Sequence, residues 1–115
     1  MANQIDTVFS ALADPTRRAI VARLGQGDAA ITELAAPHDM ALPSFLKHIA
    51  KLERAGLIRS RKDGRVRVCT LHPEALAVAE TWLDRQRALW KARLDRLDAL
   101  AQSLAQLPKD DPDVP

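Results

Sequence analysis

Residues 41–72 read ALPSFLKHIAKLERAGLIRSRKDGRVRVCTLH, and within this stretch the hydrophobic period changes once, at Gly56. Before the glycine, Phe45 or Leu46, Ile49, Leu52 and Ala55 recur at helical spacing, and Pro43 sits in the first turn of a helix starting near Leu42. Ser44, Lys47, His48, Lys51 and Arg54 take the other faces. Gly56 supplies the left-handed residue that ends the helix. The pattern then alternates, which predicts strands over 57–62 and 65–71. Asp63-Gly64 between them is the two-residue signal for a tight type I′ hairpin. Val66 and Val68 are read as its apolar side, and Arg59, Arg61, Arg65 and Arg67 as its projecting side and tip.

Working outward, Ile5, Val8, Phe9 and Leu12 predict a helix over 4–13 capped by Asn3. Asp14-Pro15 opens a second, with Asp14 as N-cap and Pro15 where its missing N–H costs nothing. Its buried face is expected at Ala19, Ile20, Ala22 or the stem of Arg23, and Leu24, and Gly25 and Gly27 end it. Thr32 is expected to cap a short third helix over 33–36, stopped by Pro37. Pro73 opens a last helix over about 73–107, with no Gly or Pro after the first residue and a length of about 52 Å. Leu76, Leu83, Trp90, Leu97 and Leu104 recur along it every seven residues, widened by Ala79, Leu94, Leu100 and Leu107. The roughly 70 residues before it form a unit with a radius of gyration of about 11 Å, too small to cover such a stripe. The surplus asks for a second chain. Residues 108–115, acidic and Pro-rich, are expected to be a disordered tail.

The formal net charge of +2 conceals a segregation. Residues 41–72 hold eight basic residues against Glu53 and Asp63, a surplus of six, and the rest of the chain is net negative by four. That is the footprint of a nucleic-acid surface. With 3% aromatic residues, the core must be built from Ala, Leu, Ile and Val, which leans helical. The single cysteine rules out an intramolecular disulfide framework and fits a reducing, cytoplasmic compartment. No apolar run approaches the roughly 20 residues that span a bilayer, so no membrane partner is expected. No Gly-rich phosphate loop, nucleophile set or carboxylate pair points to catalysis.

Four helices, two strands and a long helix, in that order, make a mainly α chain with a small β-hairpin (α+β), the order of a winged helix-turn-helix. In that fold the fourth helix enters the major groove and the hairpin is the wing. Ser44, Lys47 and His48 are then placed near bases or adjacent phosphates, and Lys51 and Arg54 near phosphates. Arg59, Arg61, Arg65 and Arg67 track the neighbouring backbone or narrow groove, and Arg17 and Arg18 are further phosphate candidates.

The motifs ALADPTRRAI at 11–20, LPSFLKHI at 42–49, LERAGLI at 52–58 and GRVR at 64–67, in this order, closely resemble the ArsR/SmtB family of bacterial winged-helix repressors. The resemblance runs from about residue 5 to residue 107 and implies a homodimer on double-stranded operator DNA. The family's usual interface, first helix with last, implies contacts at Ile5, Phe9, Leu83, Trp90, Leu94, Leu97 and Leu104. Two departures stand out. The family's metal sensors carry cysteines near the third helix or Asp/His and His/Glu pairs in the last; here the region 32–39 has no cysteine and the last helix no histidine. No metal or other cofactor is therefore expected, and His38, His48, His72 and Asp39 are too scattered to make a site. Ala41 stands where many relatives have a capping Ser or Thr, which leaves Asp39 as an earlier cap or a helix start ordered on DNA.

Alternatives keep the fold and change the use. Cys69, beside arginines, is a redox candidate if its thiol pKa is lowered, although a strand cysteine also serves as a small buried hydrophobe. Trp82 and Trp90 share a helical face and could line a pocket for a small-molecule effector, or simply pack. A protein-interaction module docking through the long helix is the reading from another class.

Overall fold

The computed structural model describes residues 3–108. α1 (Gln4–Leu12) begins at Asn3, whose side-chain oxygen accepts from the Asp6 N–H at 3.0 Å. α2 (Pro15–Leu24) begins at Asp14, whose carboxylate accepts from the Arg17 N–H at 3.0 Å. Both caps satisfy N–H groups that a helix start leaves unpaired. The buried face of α2 is Ile20 and Leu24, with Val21 partly buried; Ala19 and Ala22 are exposed. At about 100° per residue, the Ile20–Leu24 pair sets the stripe and both alanines fall outside it.

β1 (Ala29–Ala30) leads directly into α3 (Ile31–Ala35), which starts two residues before the expected position. Thr32 lies inside the helix rather than capping it. The N-cap is Ala30, which has no side chain to offer, and Glu33 Oε1 accepts from its N–H at 3.4 Å. α4 (Leu42–Arg54) likewise begins without a side-chain cap, since Ala41 has none and Asp39 makes no such bond. The Phe45 N–H reaches the Ala41 carbonyl at 3.1 Å and closes the first turn.

α4 ends in a Schellman arrangement. The Leu57 N–H donates to Leu52 O at 3.1 Å and the Gly56 N–H to Glu53 O at 2.9 Å, with Gly56 at φ +76° and both leucines fully buried. The chain leaves as β2 (Ile58–Asp63), turns, and returns as β3 (Val66–Leu71). Asp63 pairs with Val66, so the turn residues are Gly64-Arg65 and not Asp63-Gly64. Gly64 has φ +66° and no non-glycine residue among those described has positive φ, which is the sign pattern of a type II′ turn, with glycine first. Type I′ would have required a second left-handed residue.

β1 pairs antiparallel with β3, Ala29 opposite Cys69 and Ala30 opposite Val68, making a three-stranded sheet of order β1-β3-β2. Register also corrects the faces of the hairpin. Ile58, Ser60 and Lys62 share a side with Cys69, Leu71 and Arg67, and its buried members are Ile58 and Cys69. Val66 and Val68 lie on the opposite, solvent side with Arg59 and Arg61. With a period of two, residue parity decides the face, whatever the side chain's polarity.

α5 (Glu74–Ala105) is the long helix expected. The chain divides into a compact unit up to Thr81 and a second unit from Trp82. The first holds one core, in which Val8, Ile20, Leu24, Phe45, Ile49, Leu52, Leu57, Ile58 and Cys69 meet Ala75 and Ala79 of α5, with Leu76 packed beside them. The second is helix from Trp82 to Ala105, with Leu83, Leu89, Trp90, Leu94, Leu97, Leu100 and Leu104 each 46–61% exposed. The acidic tail from residue 109 lies outside the described residues.

Gly56→Ala tests the end of α4. A Cβ there would meet only Ala75 Cβ at 3.9 Å, so the cost is backbone strain rather than a clash. Urea unfolding should show a loss of about 1–2 kcal/mol; an unchanged midpoint would contradict the cap.

Candidate nucleic-acid interface

α4 divides cleanly into two faces. Phe45, Ile49 and Leu52 are buried, whereas Leu46 is 40% exposed, which settles the alternative left open at those two positions. Ser44, Lys47, His48, Lys51 and Arg54 fall within an arc of about 120° on the other side at 100° per residue. Lys51 and Arg54 occupy the last turn, where the helix dipole favours cations. His38, in the connection before α4, stacks on Phe45 with ring centroids 5.7 Å apart and ties that connection to the buried face.

Arg17 and Arg18 both fold back on the end of α1. Arg17 Nε donates to Ala11 O at 2.6 Å, its Nη2 to Ser10 O at 3.2 Å, and its Nη1 lies 3.0 Å from His48 Nδ1. Arg18 Nη1 donates to Leu12 O at 2.8 Å. Two guanidinium groups of α2 thus donate to carbonyls at the end of α1, of which Ser10 O also accepts the Ala13 N–H. Arg17 is committed to this clamp, while Arg18 remains exposed. Asp14 Oδ2 lies 3.8 Å from His48 Nδ1. The Arg17 N–H at the helix start, opposed by desolvation and aided by the Arg17 charge and the Thr16 N–H, holds the Asp14 carboxyl below its usual pKa.

The hairpin's arginines separate into two groups. Arg61 Nη1 reaches Asp28 Oδ2 at 3.3 Å and donates to Thr70 Oγ1 at 2.9 Å. Arg67 donates to Ser60 Oγ at 2.9 Å, and that hydroxyl donates to Glu53 at 2.8 Å. Arg59 and Arg65 are exposed, and the side chain of neither forms a hydrogen bond or ion pair among the described residues; nor do the side chains of exposed Lys47, Arg54 and Lys62 or of half-buried Lys51. Lys62 contributes to the charge of this segment without being an expected contact, and the structure adds it to the candidates. Among the described residues of the first unit, every basic side chain without a partner therefore falls between residues 47 and 65, on α4 or the hairpin. Asp28, which anchors Arg61 from across the sheet, carries no local signal that sequence reading could have used.

Of the two readings of Cys69, the structure agrees with the small buried hydrophobe and not with the redox alternative. Its side chain is fully buried, and burial, reinforced by Glu53, pushes the thiol pKa up, with Arg67 only partly opposing. It reads as a small core hydrophobe. In the second unit, Arg93 lies over the Trp90 ring at 5.5 Å, beside a shallow groove lined by Gln86, Leu89 and Arg96. Among the described residues no three His, Cys, Asp or Glu side chains come together as metal ligands, and no helix is long and apolar enough to cross a membrane.

Residues 12–61 match the family described as a helix-turn-helix domain. The chain is 30% identical over 100 residues to the arsenical resistance operon repressor of Escherichia coli, covering 86% of this chain and 83% of that one. The crystal structure of an ArsR family transcriptional regulator superposes with a TM-score of 0.74 at 53% identity, over 77% of this chain and 98% of that chain. A homodimeric winged helix-turn-helix DNA-binding domain from Mycobacterium bovis, solved by NMR, superposes with a TM-score of 0.59 at 26% identity, over 75% and 82%.

A buried, raised-pKa thiol should resist aromatic disulfide reagents at pH 8 until the protein unfolds; reaction at the rate of a free thiol in the native state would overturn the assignment. In the unfolded chain the thiol ionises near its ordinary pKa of about 8.5, while the folded state retains the proton, so stability falls as pH rises above that value. Relative to Cys69→Ala, the wild type should lose additional stability in that alkaline window.

Proposed function

The chain belongs to the ArsR family of transcriptional regulators, and on that premise we propose that it acts as a homodimeric repressor reading an inverted repeat in double-stranded DNA. The carrying observation is the placement of Lys47, Lys51, Arg54, Arg59, Lys62 and Arg65. These six are the cations of the first unit that no described acidic group or acceptor engages, and they lie on one helix and the hairpin that follows it. Cations left unspent by the protein are free to displace counterions from phosphates. α4 supplies a rigid rod of the diameter that the major groove admits. Ser44, Lys47 and His48 in its N-terminal half approach base edges or the phosphates beside them, and Lys51 and Arg54 contact phosphates. Arg59, Lys62 and Arg65, with Arg61 and Arg67 held by their own partners, follow the neighbouring backbone or narrow groove. Arg18 is an outer phosphate contact.

A second copy covers the apolar stripe of the second unit, through Leu83, Trp90, Leu94, Leu97 and Leu104, with Ile5 and Phe9 of α1 joining the interface. Supporting this are the exposure of that stripe and the homodimeric state of the Mycobacterium bovis domain. The functional unit is then about 25 kDa, twice the 12.7 kDa chain. Two-fold symmetry sets the half-sites about one helical turn, near 34 Å, or a multiple of it apart. Bound across a promoter, such a dimer excludes polymerase, in keeping with the repressor activity of the Escherichia coli relative.

Selection from random duplexes should enrich a palindrome. On it, Lys51→Ala and Arg54→Ala should weaken binding and reduce the slope of log affinity against log salt by about one for each phosphate released. Unchanged affinity and slope would remove α4 from the groove, and no enriched palindrome at moderate salt would favour a protein-docking role. Sedimentation at micromolar concentration should give the dimer for wild type and the monomer for Leu97→Asp; a monomeric wild type would refute the interface.

A further inference from the structure

Resting on the DNA reading above, we infer that Arg17 is a positioning residue that fixes the tautomer of His48, so that His48 meets DNA as a hydrogen-bond donor through Nε2. Arg17 Nη1 lies 3.0 Å from His48 Nδ1. A guanidinium donates and never accepts, so Nδ1 must present its lone pair and the ring proton resides on Nε2. Arg17 cannot easily swing away, because Nε and Nη2 of the same group hold Ala11 O and Ser10 O at the end of α1. The guanidinium is thus a fixed bracket between three elements, with α1 supplying the carbonyls, α2 the arginine and α4 the imidazole.

The other ring nitrogen is open. His48 is only partly exposed, yet Nε2 is neither buried nor bonded to any described protein group. Its proton therefore has no acceptor among the described residues, and it belongs to a side chain on the charged arc of α4. Acceptors of the right chemistry in DNA are purine N7 and O6 edges, thymine O4 and phosphate oxygens. Asp14 is the competing neighbour. Its Oδ2 lies 3.8 Å from Nδ1 and would draw a proton to that nitrogen if Arg17 were absent. Arg17 and Asp14 consequently favour opposite tautomers, and the shorter contact belongs to Arg17.

The first arm of the test uses the free protein. Two-bond proton–nitrogen correlation spectra should place the His48 proton on Nε2 in wild type, leave it there in Arg18→Met, and shift population toward Nδ1 in Arg17→Met. A proton on Nδ1 in wild type, or the same tautomer population in folded Arg17→Met, would overturn the bracket. The second arm leaves Arg17 intact and uses the duplex enriched by wild type. Gln places an amide donor near the position of Nε2, and Asn places it near Nδ1. His48→Gln should bind within about threefold of wild type and His48→Asn about tenfold more weakly; equal binding by the two, or tighter binding by the Asn variant, would overturn the donor role. Repeating the comparison on duplexes bearing 7-deazapurines or methylphosphonates separates base from backbone acceptors. The substitution that abolishes the Gln/Asn difference contains the acceptor, and persistence of the difference on both would reject a direct bond to those atoms. Failure of wild type to enrich any duplex would defeat the DNA reading itself, and the spectra would still decide the tautomer.

Discussion

Everything in the first unit depends on the burial of one face of α4. Phe45, Ile49 and Leu52 are fully or almost fully buried, and the helix is therefore fixed in rotation about its axis. Once that rotation is fixed, helical geometry alone sends Ser44, Lys47, His48, Lys51 and Arg54 outward. Losing the phenyl ring of Phe45 would cost a few kcal/mol of packing, and it would also release the angular reference by which the opposite face is presented. The Schellman end at Gly56 then converts the helix axis into the direction of β2, so the hairpin inherits its placement from the same core.

A second constraint is how the chain spends its cations. Arg17, Arg18, Arg23, Arg61 and Arg67 each engage an internal partner: helix-end carbonyls, Glu33, Asp28 or the Ser60 hydroxyl. Exposed ion pairs of this kind contribute little to stability individually, but they orient side chains. The remaining cations of this unit stay unneutralised on one helix and one hairpin. A small net charge is compatible with a strongly positive surface because the acidic residues are concentrated elsewhere in the sequence.

The features legible in the sequence were those set by local rules. Asn3 and Asp14 as caps, Gly56 as terminator, the helical period of α4 and the absence of breakers after Pro73 each act within a few residues, and each is where the sequence places it. What escaped depends on tertiary pairing. Ala29-Ala30 has no strand propensity and becomes β1 because β3 offers an edge; that pairing in turn moves the start of α3 from Thr32 back to Ala30. The turn lies at Gly64-Arg65 instead of Asp63-Gly64, and Val66 and Val68 face solvent because the core takes the Cys69 side of β3. Arg17 looked like a surface cation because its partners lie six, seven and thirty-one residues away. Cys69, by contrast, is the small buried hydrophobe that a lone strand cysteine most often is, and depth in the core outweighs its neighbouring arginines.

The strand order leaves β2 at the rim of the sheet, with β3 covered on both sides and no strand beyond β2 among the described residues. An open rim of unpaired N–H and C=O groups invites self-association by strand addition. β2 carries Arg59, Arg61 and Lys62 against Asp63, a net charge of +2 along six residues, and two copies brought rim to rim would repel. The charge proposed to meet phosphate therefore also acts as a guard against fibre-like assembly, and a wing neutralised by substitution would become adhesive toward its own kind.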